Sequence, residues 1–341
     1  MKDIKLSTRL QYNLTRIAKH FFGIEFNRQK LQRKILQEMQ KFGEAKKLEI
    51  DIKSEISPTD FRENYLKKKR PLVLRQKASE WTSCQKWSPQ FFKDNYGDQM
   101  ISAMSSLPED NENLSYSVTD IKMSDYIDDL ESGSSQYYVR FNNFLYSQKE
   151  LPGQLNLPFL RKYTGPLFTL GEVLQLFFGV KDSKTNLHAA NLHNLFIQIH
   201  GKKRWVLYPC HYDPMLDPPV KREPYVYSNI LPFREQEEFP IQKYLDYYDV
   251  TIEAGDILYL PSSMWHYVEN KETSIGAAYK WYGPLSSSFN NFTQNLLITW
   301  ATSPSLIYTF LNRKNLTKLY DYVHKKNVKQ RTKQRLLTGK N

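Results

Sequence analysis

The sequence predicts an α+β chain. Its body is a jelly roll or sandwich of short antiparallel strands, with flanking helices and helical extensions at both ends. Three observations predict this. β-rich runs recur between residues 166 and 283, with turn signals at short spacing. Helix starts with capping residues recur over 51–165. The excess positive charge is confined to the two ends of the chain.

The strand runs are Phe196-Ile197-Gln198-Ile199, Trp205-Val206-Leu207-Tyr208 and Asp256-Ile257-Leu258-Tyr259-Leu260. Gly201-Lys202 and Ala254-Gly255-Asp256 mark turns between them. Upstream, Ser57-Pro58-Thr59-Asp60-Phe61, Ser88-Pro89-Gln90-Phe91-Phe92 and Ser124-Asp125-Tyr126-Ile127 read as helix starts. Pro71-Leu72-Val73-Leu74 and Tyr137-Tyr138-Val139 read as strands, and no internal repeat is visible.

The chain has 341 residues, 40% hydrophobic and 14% aromatic, enough for one substantial core. That balance excludes a disordered chain, a collagen-like chain and a polytopic membrane protein. Two cysteines, Cys84 and Cys210, support neither a disulfide framework nor a cysteine-rich zinc site, and fit a reducing compartment. The net charge is +12, but residues 1–50 carry +7 and residues 313–341 carry +9, so the span between them is slightly acidic at −4. Basic extensions suit RNA, anionic lipid or an acidic protein face.

Leu6, Leu10, Leu14, Ile17 and Phe21 recur at helical spacing, as do Phe26, Leu31, Ile35 and Met39. A basic amphipathic start is the pattern of a mitochondrial presequence, from which Asp3 and Glu25 depart. The expected location is mitochondrial, and otherwise cytoplasmic or nuclear. Residues 281–312 lack Asp, Glu, Lys and Arg. Asn, Gln, Ser, Thr and Pro304 interrupt that stretch, so packed helices are expected there rather than a membrane span.

The segment Thr185 to Trp205 contains His188-Ala189-Ala190, His193-Asn194 and Lys203. Gly255-Asp256-Ile257-Leu258-Tyr259-Leu260-Pro261 leads on to Trp265-His266. Together these resemble the JmjC family of cupin-fold, Fe(II)- and 2-oxoglutarate-dependent oxygenases, closest to its small hydroxylase branch. The resemblance implies a double-stranded β-helix over residues 51–283, with a lead-in over 51–165 and the barrel over 166–283. Residues 1–50 and 313–341 then become basic extensions, and 284–312 an uncharged helical segment.

The resemblance also implies site residues. The family's iron sits on a 2-His-1-carboxylate face. His188 matches its first histidine and His266 its distal one. The carboxylate belongs two residues after the first histidine, on the same strand face. Ala190 stands there and cannot ligate. His193 and Asn191 lie at odd offsets, facing the other side, so His193 is expected to pack or to face solvent. Thr185, Asn194 and Lys203 match the 2-oxoglutarate pocket, although Thr185 and Lys203 also fit ordinary strand and turn positions. Tyr279 takes the place of a small pocket asparagine and is expected to crowd the cavity.

These residues point to a non-catalytic member with a vestigial metal pair, no confident catalytic residue and no cofactor. It would serve as a structural or accessory subunit of a large assembly, respiratory or ribosomal, held through both extensions. Three alternatives stand beside it. One is an active Fe(II)/2-oxoglutarate hydroxylase of protein or tRNA, its basic tails gripping RNA. Another is a halogenase-like enzyme, because halogenases of this chemistry carry Ala or Gly at the carboxylate position. The third is a homodimeric binding protein joined through residues 289–311.

Overall fold

Tight turns with positive φ carry the chain from one sheet to the other and so set the architecture. The computed structural model describes residues 2–105, 118–133, 135–142, 144–164, 169, 171–218, 225–228, 230, 232–233, 237–299, 311–312 and 318. Fifteen strands lie among them. They are β1 (Lys47–Leu48), β2 (Asp51–Lys53), β3 (Leu72–Leu74), β4 (Met100–Ser105), β5 (Val118–Lys122), β6 (Tyr137–Asn142), β7 (Glu172–Gly179) and β8 (Lys184–Ala190). The rest are β9 (His193–His200), β10 (Lys202–Tyr208), β11 (Tyr225–Tyr227), β12 (Tyr247–Glu253), β13 (Ile257–Leu260), β14 (Trp265–Asn270) and β15 (Ser274–Trp281). One sheet runs β1-β12-β10-β14-β8-β11, the other β2-β3-β13-β9-β15-β7-β6-β4-β5.

From β7 to β10, and again from β12 to β15, successive strands alternate between the two sheets. This is the winding of a double-stranded β-helix. The crossing between β9 and β10 turns at Gly201, φ +67°, where a Cβ would lie 2.1 Å from the Thr273 carbonyl oxygen. The crossing between β12 and β13 turns at Gly255, φ +94°. Only glycine takes both conformations without strain.

Both faces of the larger sheet are buried at its centre, over β7, β9, β13 and β15. On β9, Leu195, Ile197 and Ile199 face a core completed by Phe61, Trp87, Phe92 and Tyr126 from the lead-in. Phe196 faces an inner layer with Trp205, Leu207 and Leu258, between the sheets. A third layer, with Leu187, Val206 and Trp265, lies under the N-terminal helices. The single expected core is therefore three layers, because helices cover the outer faces of both sheets.

The lead-in helices start where their caps predict. Ser57 accepts from the Asp60 N–H and Ser88 from the Phe91 N–H. The third starts at Met123 without a side-chain cap. There the carbonyls of Gln99 and Gly97 take the Met123 and Ser124 N–H groups instead, so tertiary contact replaces the expected serine cap.

Helix α1 (Leu6–Phe22) and helix α2 (Arg28–Gln40) form an N-terminal hairpin. α2 buries Leu31, Ile35 and Met39, as their spacing predicts. α1 is inverted: it buries Thr8, Tyr12 and Arg16. Arg16 pairs with Asp213 at 2.8 Å, both side chains about 5% exposed or less. The Thr8 hydroxyl donates to Glu38 at 2.7 Å, and Tyr12 donates to the Asp213 carbonyl at 3.2 Å. The leucine stripe faces outward, with Leu6 71%, Leu10 52% and Leu14 64% exposed.

Two further helices follow the barrel, Pro284–Asn290 and Phe292–Thr299. No helix among the described residues is long and apolar enough to cross a membrane. Residues 300–310 of the expected dimer segment, and the basic C-terminal tail except Lys318, lie outside the described residues.

Arg16→Ala would leave Asp213 buried without its partner, a loss of about 3–5 kcal/mol in urea unfolding. Leu10→Ala is expected to stay within about 0.5 kcal/mol of the unaltered chain. A larger loss at Leu10 than at Arg16 would mean that the leucines, not the polar face, hold α1 in place.

Candidate functional site

β8 and β14 lie side by side, and their register sets His188 directly opposite His266. The two rings are 4.0 Å apart between centroids, tilted by 55°. His188 Nδ1 lies 2.8 Å from the Asn186 carbonyl, and His266 Nδ1 lies 2.9 Å from the Met264 carbonyl. A carbonyl only accepts, so each Nδ1 carries the proton and donates. This fixes the tautomer with Nε2 unprotonated, the way metal-ligating histidines are usually held. Burial, reinforced by His266, Lys280 and Arg140, holds His188 well below the usual imidazole range. Burial and then Lys280 pull His266 down to about 4.

Ala190 follows on the same strand face as His188. Its carbonyl accepts the Ser263 N–H at 2.7 Å, and its methyl offers no donor. No group of three His, Cys, Asp or Glu side chains that could hold a metal gathers among the described residues.

The three expected pocket residues do come together beside the histidines. Thr185, Asn194 and Lys203 line one pocket with His188, His266 and Lys280. Lys203 is buried, with Nζ 5.0 Å from the Phe196 ring centre and 5.5 Å from those of Phe177 and Tyr138. Its ammonium donates to the Tyr138 hydroxyl at 3.3 Å. Burial lowers Lys203, with Tyr138 opposing. Burial raises the Tyr138 phenol, but Lys203 and its other hydrogen bonds outweigh that, and the net shift is downward. The Asn194 Oδ1 is buried without a hydrogen-bond partner among the described residues.

The expectation at Tyr279 is corrected. Tyr279 points out of the barrel, where its hydroxyl donates to Glu172 at 2.7 Å in the network that Arg161 completes. The next residue, Lys280, enters the pocket, opposite Asn194 in the β15–β9 register. The strand alternation is offset by one from the expected position, so a cation and not a phenol occupies the space. The cavity left is about 20 Å³. A single water needs roughly 10–15 Å³, so the space between these side chains as they stand is about that of one water.

Of the two outcomes its odd offset leaves open, His193 packs and does not face solvent. It is fully buried, with Nδ1 3.0 Å from the Tyr259 hydroxyl and Nε2 2.8 Å from the Ser286 hydroxyl, and it stacks on Trp281. Tyr138, Phe177 and Lys280 escaped the sequence reading. Lys280 carried a signal, as the one charge in an otherwise uncharged strand, Ser274 to Trp281. Tyr138 carried none, because only the β6–β7 pairing brings it to the barrel.

Residues 58–288 match the family model described as a cupin-like domain. The chain belongs to the cupin-like family. Several of its relatives carry JmjC names. The chain is 32% identical over 116 residues to the lysine-specific demethylase JMJ30 of Arabidopsis thaliana, covering 34% of this chain and 27% of that protein. It is 22% identical over 271 residues to the human bifunctional peptidase and (3S)-lysyl hydroxylase JMJD7, covering 66% of this chain and 81% of that protein. The X-ray structure of E. coli ycfD aligns with a TM-score of 0.47 and 18% identity, over 71% of this chain and 57% of that one.

The family usually uses Fe(II) and 2-oxoglutarate. The residues here do not fit them: the donor set is two imidazoles beside an alanine, and two lysines share the remaining space. No reaction step is derived through either group.

The depressed histidines make stability depend on pH. The unfolded imidazole titrates near 6.5 and folded His266 near 4, so the unfolded chain takes the proton first. The contribution of His266 is fully present above pH 6.5 and is lost as the pH falls toward 4, by on the order of 3 kcal/mol. Urea unfolding of the unaltered chain should therefore weaken more steeply over that window than that of His266→Gln. Equal slopes would contradict the assignment.

Proposed function

We propose that this cupin-like protein is non-catalytic and acts as a structural or accessory subunit of a larger assembly. One observation carries the reading: at the two places where the family's chemistry needs a carboxylate and open space, this chain has Ala190 and the Lys280 ammonium. An iron site on His188 and His266 would lack its charged ligand and would face two buried lysines. The concentration of basic charge in the two extensions, outside the barrel, supports docking through them. The basic amphipathic α1 supports a mitochondrial setting. A homodimer through residues 289–311 is the simpler form of the same binding role.

A second reading has its own support. The backbone-anchored histidines and the Thr185, Tyr138 and Lys203 grouping keep the form of an oxygenase site. Relatives named as a demethylase and a lysyl hydroxylase favour an Fe(II)/2-oxoglutarate hydroxylase of protein or tRNA. The halogenase-like variant rests on His188-Ala189-Ala190 alone.

Anaerobic titration with Fe(II) and 2-oxoglutarate separates these readings. The expected result is no metal-to-ligand charge-transfer absorption, and no succinate on admitting oxygen. Absorption at one iron per chain with succinate formation would establish the oxygenase. Native size fractionation tests the assembly: the protein is expected well above its own 40.4 kDa. Migration as a monomer would contradict a subunit role.

A further inference from the structure

We infer that the α1–α2 hairpin docks on an anionic lipid surface, with the leucine face of α1 entering the bilayer interface. The inference is independent of whether the barrel is catalytic.

The helix is amphipathic in an unusual sense: the body holds its polar side. At about 100° per residue, Leu6, Leu10, Leu14, Ile17 and Phe21 fall within an arc of about 80°. Thr8, Tyr12 and Arg16 fall within a second such arc, about 160° away. The second arc is buried on Glu38 and Asp213. The first is left outside by the other described residues, with Phe21 46% exposed. The apolar strip continues past the helix end. Gly23 ends α1 in the left-handed region, and Phe22, Ile24 and Phe26 beyond or beside it are 75%, 47% and 49% exposed.

That continuation chooses the occupant. A helical partner reads a seam on one helical face. This strip leaves that face at Phe22 and runs on into non-helical chain, which suits a fluid interface better than a set of knobs and holes. Large apolar surfaces left open on a soluble body mark interaction sites. Exposed leucine and phenylalanine on one face supply the apolar half of an interfacial helix, and the basic half comes from the neighbouring α2 rather than from α1 itself.

Charge supports an anionic surface. A cleft of about 450 Å³ lies between α1 and α2, lined among others by Lys19, Arg28, Lys30, Lys34, Glu25 and Asp217. Lys19 pairs with Glu25 and Arg28 with Asp217, which leaves Lys30 and Lys34 as excess positive charge. The cleft adjoins the apolar strip through Ile24 and Phe26, so a lipid phosphate in the cleft and acyl chains against the strip belong to one lipid surface.

The test is co-sedimentation of the full chain with vesicles of phosphatidylcholine, with and without phosphatidylserine. The expected result is binding to the anionic vesicles, weakened by salt. Leu6→Gln/Leu10→Gln/Leu14→Gln should cut that binding at least tenfold with no shift in the urea midpoint. Lys30→Gln/Lys34→Gln should cut it on the order of fivefold per lysine. No binding to anionic vesicles, equal binding to neutral ones, or binding unchanged by the leucine substitutions would overturn the proposal. So would a stable dimer or an RNA complex that the same substitutions abolish while vesicle binding is absent.

Discussion

Two buried lysines share one barrel interior to whose lining no carboxylate contributes among the described residues. Burying an ammonium costs several kcal/mol unless something answers its charge. For Lys203 the answer is three aromatic faces and the Tyr138 hydroxyl. Lys280 stands across the sheet register from Asn194, near the Phe177 ring. This positive interior sets the state of the groups beside it. It helps keep both histidines neutral and leaves about 20 Å³ of space. It would also oppose a second positive charge between His188 and His266.

The fold makes that interior possible without making it necessary. Alternation between two sheets brings β8, β14, β9 and β15 around one space, and the lead-in and the N-terminal hairpin cover the outer faces. The scaffold that positions the histidines does not depend on the identity of residues 190 and 280. A family fold can therefore persist while the chemistry inside it changes. The same separation holds at the other end of the molecule. α1 is fixed by a polar face, so its apolar face is available without weakening the body.

Much of this was legible in the sequence because it was local. The strand runs, the two glycine turns, and the offsets of Ala190 and His193 follow from period-two geometry. The pairing of His188 with His266 followed from family resemblance. What escaped depended on long-range pairing or on competing burial. Tyr279 and Lys280 differ by one position, and only the β15 register decides which of them enters the barrel. Tyr138 reaches the pocket through strand β6, far upstream. The leucine periodicity of α1 was visible, but its direction was not. A buried Arg16–Asp213 pair across 197 residues of sequence separation outweighs the local pattern.

We propose that residues 190 and 280 have removed the iron site while the barrel persists. Iron content per chain after anaerobic reconstitution with excess Fe(II) and desalting tests it most directly. The account predicts well under one iron per chain, unchanged by His188→Ala. One tightly held iron per chain, lost in His188→Ala, would contradict it.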